Sequence, residues 1–306
     1  MKKLLVATEK PFHPNAVEGI KNICSDAGYE FKLLEKYSDK SELIDAVKNV
    51  NALIVRSDKV TKEVIEAGEN LEIIVRGGAG YDNVDLDAAS AKNIVVMNTP
   101  GQNANAVAEL ALGMMVYFAR GQFNGKAGTE LRGKTLGIHA YGNVGKNVAE
   151  IAKGFQMNIY VFDPFKDKKQ IEQDGLKAVD SVEELYKTCQ YVSIHIPANE
   201  KTKASINYDL MKLMPKNATI VNTARKELIC EDSLQKIMEE REDFNYISDI
   251  APDCKDVFEE KYQGRFYFTP KKMGAQTAEA NINAGIAGAN QIKNYFENGD
   301  TTFKVN

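Results

Sequence analysis

The chain has 306 residues, of which 43% are hydrophobic and 27% are charged, and its formal net charge at pH 7 is -4. This length is sufficient for two domains with buried cores, and the acidic balance argues against nucleic-acid binding. Four widely spaced cysteines and three histidines form no ligand pattern, so we expect reduced thiols and no metal site. Glu9 and Lys10 interrupt the N-terminal apolar run, and no stretch is as long as a transmembrane helix. We therefore expect a cytoplasmic protein without membrane contact.

Short apolar runs alternate with segments of helical length from one end of the chain to the other. The runs predict strands at Lys3–Thr8, Phe31–Leu34, Ala52–Arg56, Leu71–Arg76, Ile94–Met97, Thr135–His139, Ile159–Asp163, Tyr191–His195, Thr219–Asn222 and Tyr246–Ile250. Helical segments follow most of them, for example Val144–Phe155 and Glu231–Glu240. This alternation predicts the α/β fold class, with parallel sheets that are flanked by helices on both faces.

The alternation occurs twice, first over residues 1–97 and again from Thr135 onwards. Between the two series, Ala104–Ala119 has the length and apolar composition of a helix that connects two domains. The last segment, Gln276–Asn298, is also predicted to be helical, but its pattern alone assigns it to neither domain. The sequence therefore predicts two domains of similar architecture.

Residues 134–164 carry the pattern of a dinucleotide-binding strand–turn–helix–strand unit. An apolar strand leads into Ala140-Tyr141-Gly142-Asn143-Val144-Gly145, a helix begins at once, and the next strand ends at Asp163. Gly142 would let the backbone approach a pyrophosphate, and Gly145 would let the helix pack closely on the strand. Ala140 replaces the first glycine of the usual fingerprint. Because Asp163 can bind ribose hydroxyls and would repel a 2′-phosphate, NAD is favoured over NADP.

A series of motifs extends over almost the whole chain. They are VRS at 55–57, VRGGAGYDNVDL at 75–86, MNTPGQNANAVAELALGMM at 97–115, GKTLGIHAYGNVG at 133–145, HIP at 195–197, VNTARKELI at 221–229, SDI at 248–250 and TPKKMGAQT at 269–277. In these motifs the chain resembles the D-isomer-specific 2-hydroxyacid dehydrogenase family, and within it the members that act on D-3-phosphoglycerate.

The resemblance implies two Rossmann-like domains, one inserted in the other. Residues 1–98 and 277–306 would form a discontinuous substrate-binding domain, and residues 99–276 would form the NAD-binding domain. The family also implies a homodimer with contacts largely through the NAD-binding domain, and the dimer could pair further into a tetramer. Because the chain stops at Asn306, we expect no C-terminal regulatory extension.

The resemblance implies NAD-dependent oxidation of D-3-phosphoglycerate to 3-phosphohydroxypyruvate, the first step of serine biosynthesis. It assigns Arg225 to the substrate carboxylate and carbonyl, which a planar guanidinium suits. Further substrate contacts are implied for Arg56, Ser57, Arg76, Gly78 and Lys271. Cofactor contacts are implied for the fingerprint residues Tyr141, Gly142, Asn143, Val144 and Gly145, for Asp163, and for Ala79, His195, Ile196, Pro197, Thr223, Ala224, Asp249, Gly274 and Ala275.

A phosphate on the substrate is favoured by the cations near the strand ends. Arg56 and Arg76 could hold it, with Lys59 as a further candidate, and Gly78–Gly80 offer backbone N–H groups as an anion-binding turn does. Asp58 weakens this cluster. An unphosphorylated D-2-hydroxy acid such as lactate or glycerate therefore stays open as an alternative, since both arginines could instead form salt bridges.

The acid/base departs from the family pattern, which places a histidine after Thr-Pro. This chain has Thr269-Pro270-Lys271-Lys272-Met273-Gly274, with one extra residue. Counting from the Gly-Ala side selects Lys272 and counting from the Thr-Pro side selects Lys271, and we favour Lys272. Burial and nearby positive charge would have to lower the pKa of a lysine from about 10.4 for it to work near neutral pH.

The family's glutamate partner of the histidine falls at Cys254 in this chain, and Asp253 is a neighbouring carboxylate that could substitute. A carboxylate partner would favour the charged lysine. We therefore hypothesise that Lys272 is shielded from solvent and works without a tight carboxylate partner. A second alternative function is an NAD-sensing binding protein on the same fold, resembling the C-terminal-binding co-repressors. The chain lacks their basic or low-complexity extensions.

Overall fold

The structure is a computed structural model that describes every residue from Met1 to Asn306. The chain divides into two compact units, of which the first contains residues 1–104 and 275–306 and the second contains residues 105–274. Each unit has a parallel sheet flanked by helices, so the predicted α/β fold class is confirmed. None of the helices combines the length and the apolar character needed to span a membrane.

The first unit is built on a five-stranded parallel sheet. Its strands are β1 (Lys3–Thr8), β2 (Glu30–Glu35), β3 (Ala52–Val55), β4 (Ile73–Arg76) and β5 (Val95–Asn98), arranged in the order β2-β1-β3-β4-β5. Its helices are α1 (Pro14–Asp26), α2 (Lys40–Val47), α3 (Lys62–Ala67), α4 (Leu86–Ala91) and, from the last part of the chain, α12 (Ala278–Asn298).

Alternate residues of the buried strands supply two separate cores. Leu5, Leu53 and Ile74 face one core together with residues of α2, α3 and α4. Leu4 and Ile54 face the other core, which also contains buried residues of α1 and α12. Because successive side chains of a strand point to opposite faces, a continuous apolar run is what a sheet covered on both sides requires.

The second unit is built on a seven-stranded parallel sheet. Its strands are β6 (Thr135–His139), β7 (Asn158–Phe162), β8 (Lys177–Ala178), β9 (Tyr191–Ile194), β10 (Thr219–Asn222), β11 (Asn245–Ser248) and β12 (Phe266–Phe268), in the order β12-β11-β10-β9-β6-β7-β8. Its helices are α5 (Ala104–Ala119), α6 (Asn143–Gly154), α7 (Lys168–Gln173), α8 (Val182–Thr188), α9 (Tyr208–Met211), α10 (Glu231–Glu240) and α11 (Lys255–Lys261).

Each sheet has a point where the strand order reverses, and ligands of open parallel sheets bind at the carboxyl ends of the strands there. In the first unit this point lies between β1 and β3, which lead into Glu9 and Arg56. In the second unit it lies between β6 and β9, which lead into Ala140 and His195. The chain order thus places the predicted site segments at both reversal points.

Most predicted elements appear within two residues of the expected bounds, and two strands were missed. β8 has only two residues, and β12 is a short aromatic strand at the edge of the sheet. Neither has the long apolar run that signals a central strand. The last helix, α12, packs against α1 in the first unit, which its sequence pattern alone could not establish.

Candidate active site

The turn after β6 has the form of a phosphate-binding loop. Gly142 is the N-cap residue of α6, and no side chain caps this helix end, so its first N–H groups remain available to an anion. A β-carbon on Gly145 would collide with the carbonyl oxygen of Ala140, which explains the need for glycine there. A β-carbon on Gly142 would meet nothing within 4 Å, so the loop is open on that side.

Asp163 follows β7 and holds the loop through its backbone. One carboxylate oxygen accepts a hydrogen bond from the Tyr141 N–H (2.8 Å), and the other accepts from the Phe165 N–H (2.8 Å). Because each carboxylate oxygen has two acceptor sites, both can still accept a ribose hydroxyl. The predicted pairing of fingerprint and acid is therefore present in the fold.

The loops after β9, β10 and β11 each present a buried polar atom that has no partner in the chain. These atoms are Nε2 of His195, Oγ1 of Thr223 and Oδ1 of Asp249. Such atoms are costly to bury alone and mark places where a ligand completes the hydrogen bonding. Burial also lowers the pKa of His195 to about 3, so its imidazole is neutral at pH 7. Together with the uncapped α6 end, these atoms fit a dinucleotide.

Arg225 lies in a turn that the side chain of Asn222 holds in place. Asn222 accepts from the Ala224 N–H (3.0 Å) and donates to the Arg225 carbonyl (2.9 Å). The Arg225 guanidinium donates to the Ala224 carbonyl (3.0 Å) and forms no ion pair with any carboxylate. A surface salt bridge, the ordinary alternative role for an arginine, is therefore not what the structure shows.

Lys272 reaches the same turn from the segment after β12. Its ammonium donates to the carbonyl oxygen of Ala224, the atom to which Arg225 also donates. The side chain of Lys272 is exposed, contrary to the expectation that it would be shielded from solvent, because this segment lies at the surface. Lys271 is also exposed, and its carbonyl accepts from the hydroxyl of Thr269 (2.7 Å).

Asp249 is a carboxylate that interacts with Lys272 and Arg225 through its charge. It is fully buried, and its Oδ2 accepts from the Gly274 N–H (2.8 Å). Burial raises the pKa of Asp249, while the charges of Lys272 and Arg225 oppose this shift. The charge of Asp249 therefore interacts with Lys272, and the hypothesis that Lys272 works without a tight carboxylate partner stays a prediction. Counting from the family motif missed this interaction because Asp249 was assigned to the cofactor.

Asp253 and Cys254, the residues at the family's glutamate position, face elsewhere. The carboxylate of Asp253 is 77% exposed and pairs with Lys226. Glu231 accepts from the backbone N–H groups of Asp253 (2.8 Å) and Cys254 (2.9 Å), which fixes the start of α11. Burial and the neighbouring Glu231 raise the pKa of the Cys254 thiol to about 12. No contact supports a role for Asp253 beside Lys272, because its carboxylate is committed to Lys226.

Arg56 and Arg76 are joined at the strand ends of the first unit. Arg56 donates to the carbonyls of Lys10 and Pro11 (both 3.1 Å) and lies over the ring of Phe12. Arg76 donates to the Arg56 carbonyl (2.8 Å). The contact between Arg56 and the segment after β1 was not predicted, because backbone carbonyls make it and these leave no pattern in the sequence.

Asp58 does not cancel the charge of Arg56 through a direct ion pair. Its carboxylate accepts from the N–H groups of Glu9 (2.6 Å) and Arg56 (3.2 Å) and from the hydroxyl of Tyr37 (2.8 Å). The charge of Asp58 nevertheless acts on Arg56, since it raises the pKa of Arg56 against the lowering by burial. Ser57, between them, is exposed.

The turn of Gly78–Gly80 offers fewer N–H groups than predicted. The N–H of Gly78 is already donated to the Arg76 carbonyl (2.8 Å), so it is not available to an anion. Gly78 has a φ of 152°, and a β-carbon there would collide with the Arg76 guanidinium. The lack of a side chain at Gly78 thus leaves room for the Arg76 guanidinium. The carbonyl of Ala79 accepts from Asn98 (2.6 Å), which fixes the rest of the turn.

Comparison with known proteins identifies the family. Residues 101–261 match the model of the D-isomer specific 2-hydroxyacid dehydrogenase, NAD binding domain. The chain belongs to this family. It is 35% identical over 274 residues to the hydroxypyruvate reductase of Thermotoga maritima, which covers 84% of this chain and 88% of that protein. The matched residues make up most of the second unit, so the second unit of this dehydrogenase family member contains its NAD-binding domain.

Two further relatives are phosphoglycerate dehydrogenases. The protein of Methanocaldococcus jannaschii is 38% identical over 276 residues, which are 83% of this chain and 51% of that protein. The NAD+-bound 3-phosphoglycerate dehydrogenase of Entamoeba histolytica has a solved structure that is 50% identical, with a TM-score of 0.89, and the match covers 100% of this chain and 98% of that chain. The chain spans about half the length of the M. jannaschii relative and nearly all of the E. histolytica one.

The buried carboxyl of Asp249 gives a prediction for stability and pH. Its pKa is raised in the folded chain, so the native state binds this proton more tightly than the unfolded state. Its contribution to stability is therefore complete below the unfolded pKa and is lost as pH rises through the folded pKa. We expect Asp249→Asn to unfold at higher urea concentration than wild type at pH 8, and this gain to shrink as pH falls towards about 4.

Urea titrations at several pH values, with NADH binding followed by fluorescence, measure both consequences of Asp249→Asn. NADH binding should weaken, since the amide cannot accept at both positions. Asp253→Asn is the control, because it removes an exposed carboxylate on a neighbouring loop. A stability gain that stays constant with pH would contradict the assignment of this effect to Asp249.

Proposed function

We propose that the protein oxidises D-3-phosphoglycerate to 3-phosphohydroxypyruvate with NAD, the first step of serine biosynthesis. The observation that carries the proposal is the convergence of Arg225 and Lys272 on one carbonyl beside Asp249 in an NAD-binding family member. We propose residues 1–98 with 277–306 as the substrate-binding domain and residues 99–276 as the NAD-binding domain. The compact units, which divide at 104 and 275, support these bounds.

In this proposal Arg225 binds the substrate carboxylate and polarises the C2 oxygen. Arg225 forms no ion pair, which supports this role, because the guanidinium donors that do not contact Ala224 can bind the two oxygens of a carboxylate. Lys272 takes the proton from the C2 hydroxyl in oxidation and returns it in reduction. Bound NAD supplies the acceptor for the hydride that leaves C2. The Asp249 carboxyl accepts a hydrogen bond from the Gly274 N–H, and this bond fixes the Gly274 backbone and the Asp249 side chain relative to each other.

The proposed cofactor contacts lie in the segments that follow β4, β6, β7, β9, β10, β11 and β12. Support comes from the open Gly142 turn, the uncapped α6 end and the orphan atoms of His195, Thr223 and Asp249. The remaining proposed contacts are Ala79, Tyr141, Asn143, Val144, Gly145, Asp163, Ile196, Pro197, Ala224, Gly274 and Ala275.

The substrate phosphate is proposed to bind Arg56, Ser57 and Arg76 of the first unit, where Gly78 leaves room for the Arg76 guanidinium. Lys271 is proposed as a further substrate contact. Support comes from the link between the two arginines, because the Arg76 guanidinium donates to the backbone carbonyl of Arg56 and the Arg56 guanidinium donates to backbone carbonyls. The names of the relatives leave a real choice, because one is a hydroxypyruvate reductase, whose substrate has no phosphate. An unphosphorylated D-2-hydroxy acid is therefore the second candidate substrate.

An assay of NADH formation with D-3-phosphoglycerate, D-glycerate and D-lactate tests the substrate. We expect the highest kcat/KM with D-3-phosphoglycerate, and we expect Arg56→Met to raise its KM by about tenfold to hundredfold through loss of charged hydrogen bonds. The same variant should leave the KM for D-glycerate nearly unchanged. Lys32→Met, which removes a surface cation of the same unit, is the control.

Equal efficiency with D-glycerate, or an equal loss on both substrates in Arg56→Met, would favour the unphosphorylated substrate. No turnover on any of the three acids, with NADH still bound, would favour the NAD-sensing protein.

The acid/base assignment is tested by replacing each lysine. We expect Lys272→Ala to lower kcat by about 10²–10⁴-fold, the usual contribution of a positioned acid or base. Lys271→Ala should keep kcat and change KM, and Asp253→Asn should change neither. The kcat of each variant is measured from pH 6 to pH 10. The reverse pattern would assign the proton transfer to Lys271, and normal kcat in both lysine variants would exclude a lysine mechanism.

We further propose a homodimer formed through the NAD-binding domain. Support comes from Gln122 and Phe123, which adopt left-handed backbone conformations (φ 56° each) just after α5, with the Phe123 ring 66% exposed. Two consecutive strained residues that present an aromatic ring to solvent are costly in a free chain and would be compensated by a second copy. A cytoplasmic location is proposed from the four free cysteines, two of them buried.

Sedimentation velocity of the full chain tests the dimer. We expect wild type to sediment as a dimer and Phe123→Asp to shift towards monomer at micromolar concentration, because a charge in a buried interface is costly. Phe165→Asp is the control, since Phe165 is an even more exposed phenylalanine on the same unit. A wild-type monomer, or a shift caused equally by both variants, would contradict the proposed interface.

A further inference from the structure

We propose that Tyr141 and Asp174 are positioning residues that hold the phosphate-binding loop in shape against backbone strain at Ala140. The inference rests on the proposed NAD site and is independent of the substrate. It concerns the residues by which this chain departs from the usual glycine fingerprint.

Ala140 is strained at the entry of the loop. Its φ is 85°, in the left-handed region where a β-carbon is unfavourable and where the fingerprint normally has glycine. Its carbonyl oxygen also lies against Gly145, so the first and last residues of the loop are in contact. A chain free to relax would move Ala140 towards negative φ. That movement would shift the α6 N–H groups, which follow directly.

Tyr141, the next residue, is anchored at both of its ends. Its backbone N–H donates to Asp163 (2.8 Å), and its hydroxyl donates to Asp174 (2.9 Å), the C-cap residue of α7. The side chain is only 4% exposed, and burial with the Asp174 charge raises the pKa of Tyr141. The hydroxyl therefore stays a proton donor at working pH. Lys146 from the first turn of α6 lies over the ring, 5.6 Å from its centroid.

These contacts tie the loop to three elements outside it. Asp163 follows β7, Asp174 ends α7, and Lys146 belongs to α6. A hydrogen bond from a hydroxyl to a charged carboxylate is among the stronger ones in proteins. The Tyr141 side chain can therefore keep the residue beside it in an unfavourable conformation. If so, the need for this anchor should disappear when glycine replaces Ala140.

A double-mutant cycle with Ala140→Gly and Tyr141→Phe tests this dependence. The Kd for NADH is measured by fluorescence on the full chain without substrate. We expect Tyr141→Phe alone to raise Kd about fivefold to tenfold, the size of one typical hydrogen bond. In the Ala140→Gly background the same change should raise Kd by less than about twofold. Asp174→Asn should behave like Tyr141→Phe in both backgrounds.

The matched control is Tyr160→Phe, which removes a tyrosine hydroxyl bonded to Lys177 on β7 and β8, outside the loop. It should leave Kd unchanged. Thermal unfolding of each variant separates lost folding from lost binding, and Asp174→Asn keeps the test available if Tyr141→Phe is unstable.

An unchanged Kd in Tyr141→Phe, or an equal rise in both backgrounds, would overturn the inference. If the wild-type chain does not bind NADH, both this inference and the proposed function are wrong. If the double-mutant cycle gives the expected Kd values but the protein turns over none of the three acids, only the proposed function is wrong.

Discussion

The carbonyl oxygen of Ala224 is the point on which the candidate site depends, because the side chains of Arg225 and Lys272 both donate to it. Two like charges stay close together only where something fixes them. Here both side chains donate to a carbonyl in the turn of Ala224 and Arg225. The side chain of Asn222, the last residue of a fully buried central strand, holds this turn through hydrogen bonds to its backbone. Functional groups supported by a rigid strand keep their geometry better than groups on a free loop. The sheet thus sets the relation between the two cations.

The positions of the strands could be predicted because a parallel sheet covered on both faces requires continuous apolar runs. β10 matches its predicted range residue for residue, whereas the edge strand β12 was missed, since its three aromatic residues are only partly buried. The environment of Lys272 was not predictable for a different reason. Its partner is a backbone carbonyl, and any residue at position 224 would offer one.

Strand order governs which carboxylate lies beside the two cations. Family spacing placed Cys254 at the glutamate position, with Asp253 as the neighbouring carboxylate, four residues beyond Asp249. Asp249 directly follows β11, which pairs with β10, so it lies beside the Arg225 turn. Asp253 is already past the strand end and pairs with Lys226 at the surface. Adjacency in a parallel sheet therefore predicts site partners better than spacing along the chain.

A carboxyl beside an amine normally keeps the amine charged, which hinders its use as a base. At Asp249, burial disfavours the charged carboxylate and raises its pKa, while the charges of Lys272 and Arg225 oppose that shift. The family's histidine needs an anionic partner to stay charged near neutral pH, whereas a lysine needs a weaker one to lose its proton. In the proposed mechanism, the lysine in place of the family's histidine and Cys254 in place of its glutamate are therefore changes to the two members of one proton-transfer pair.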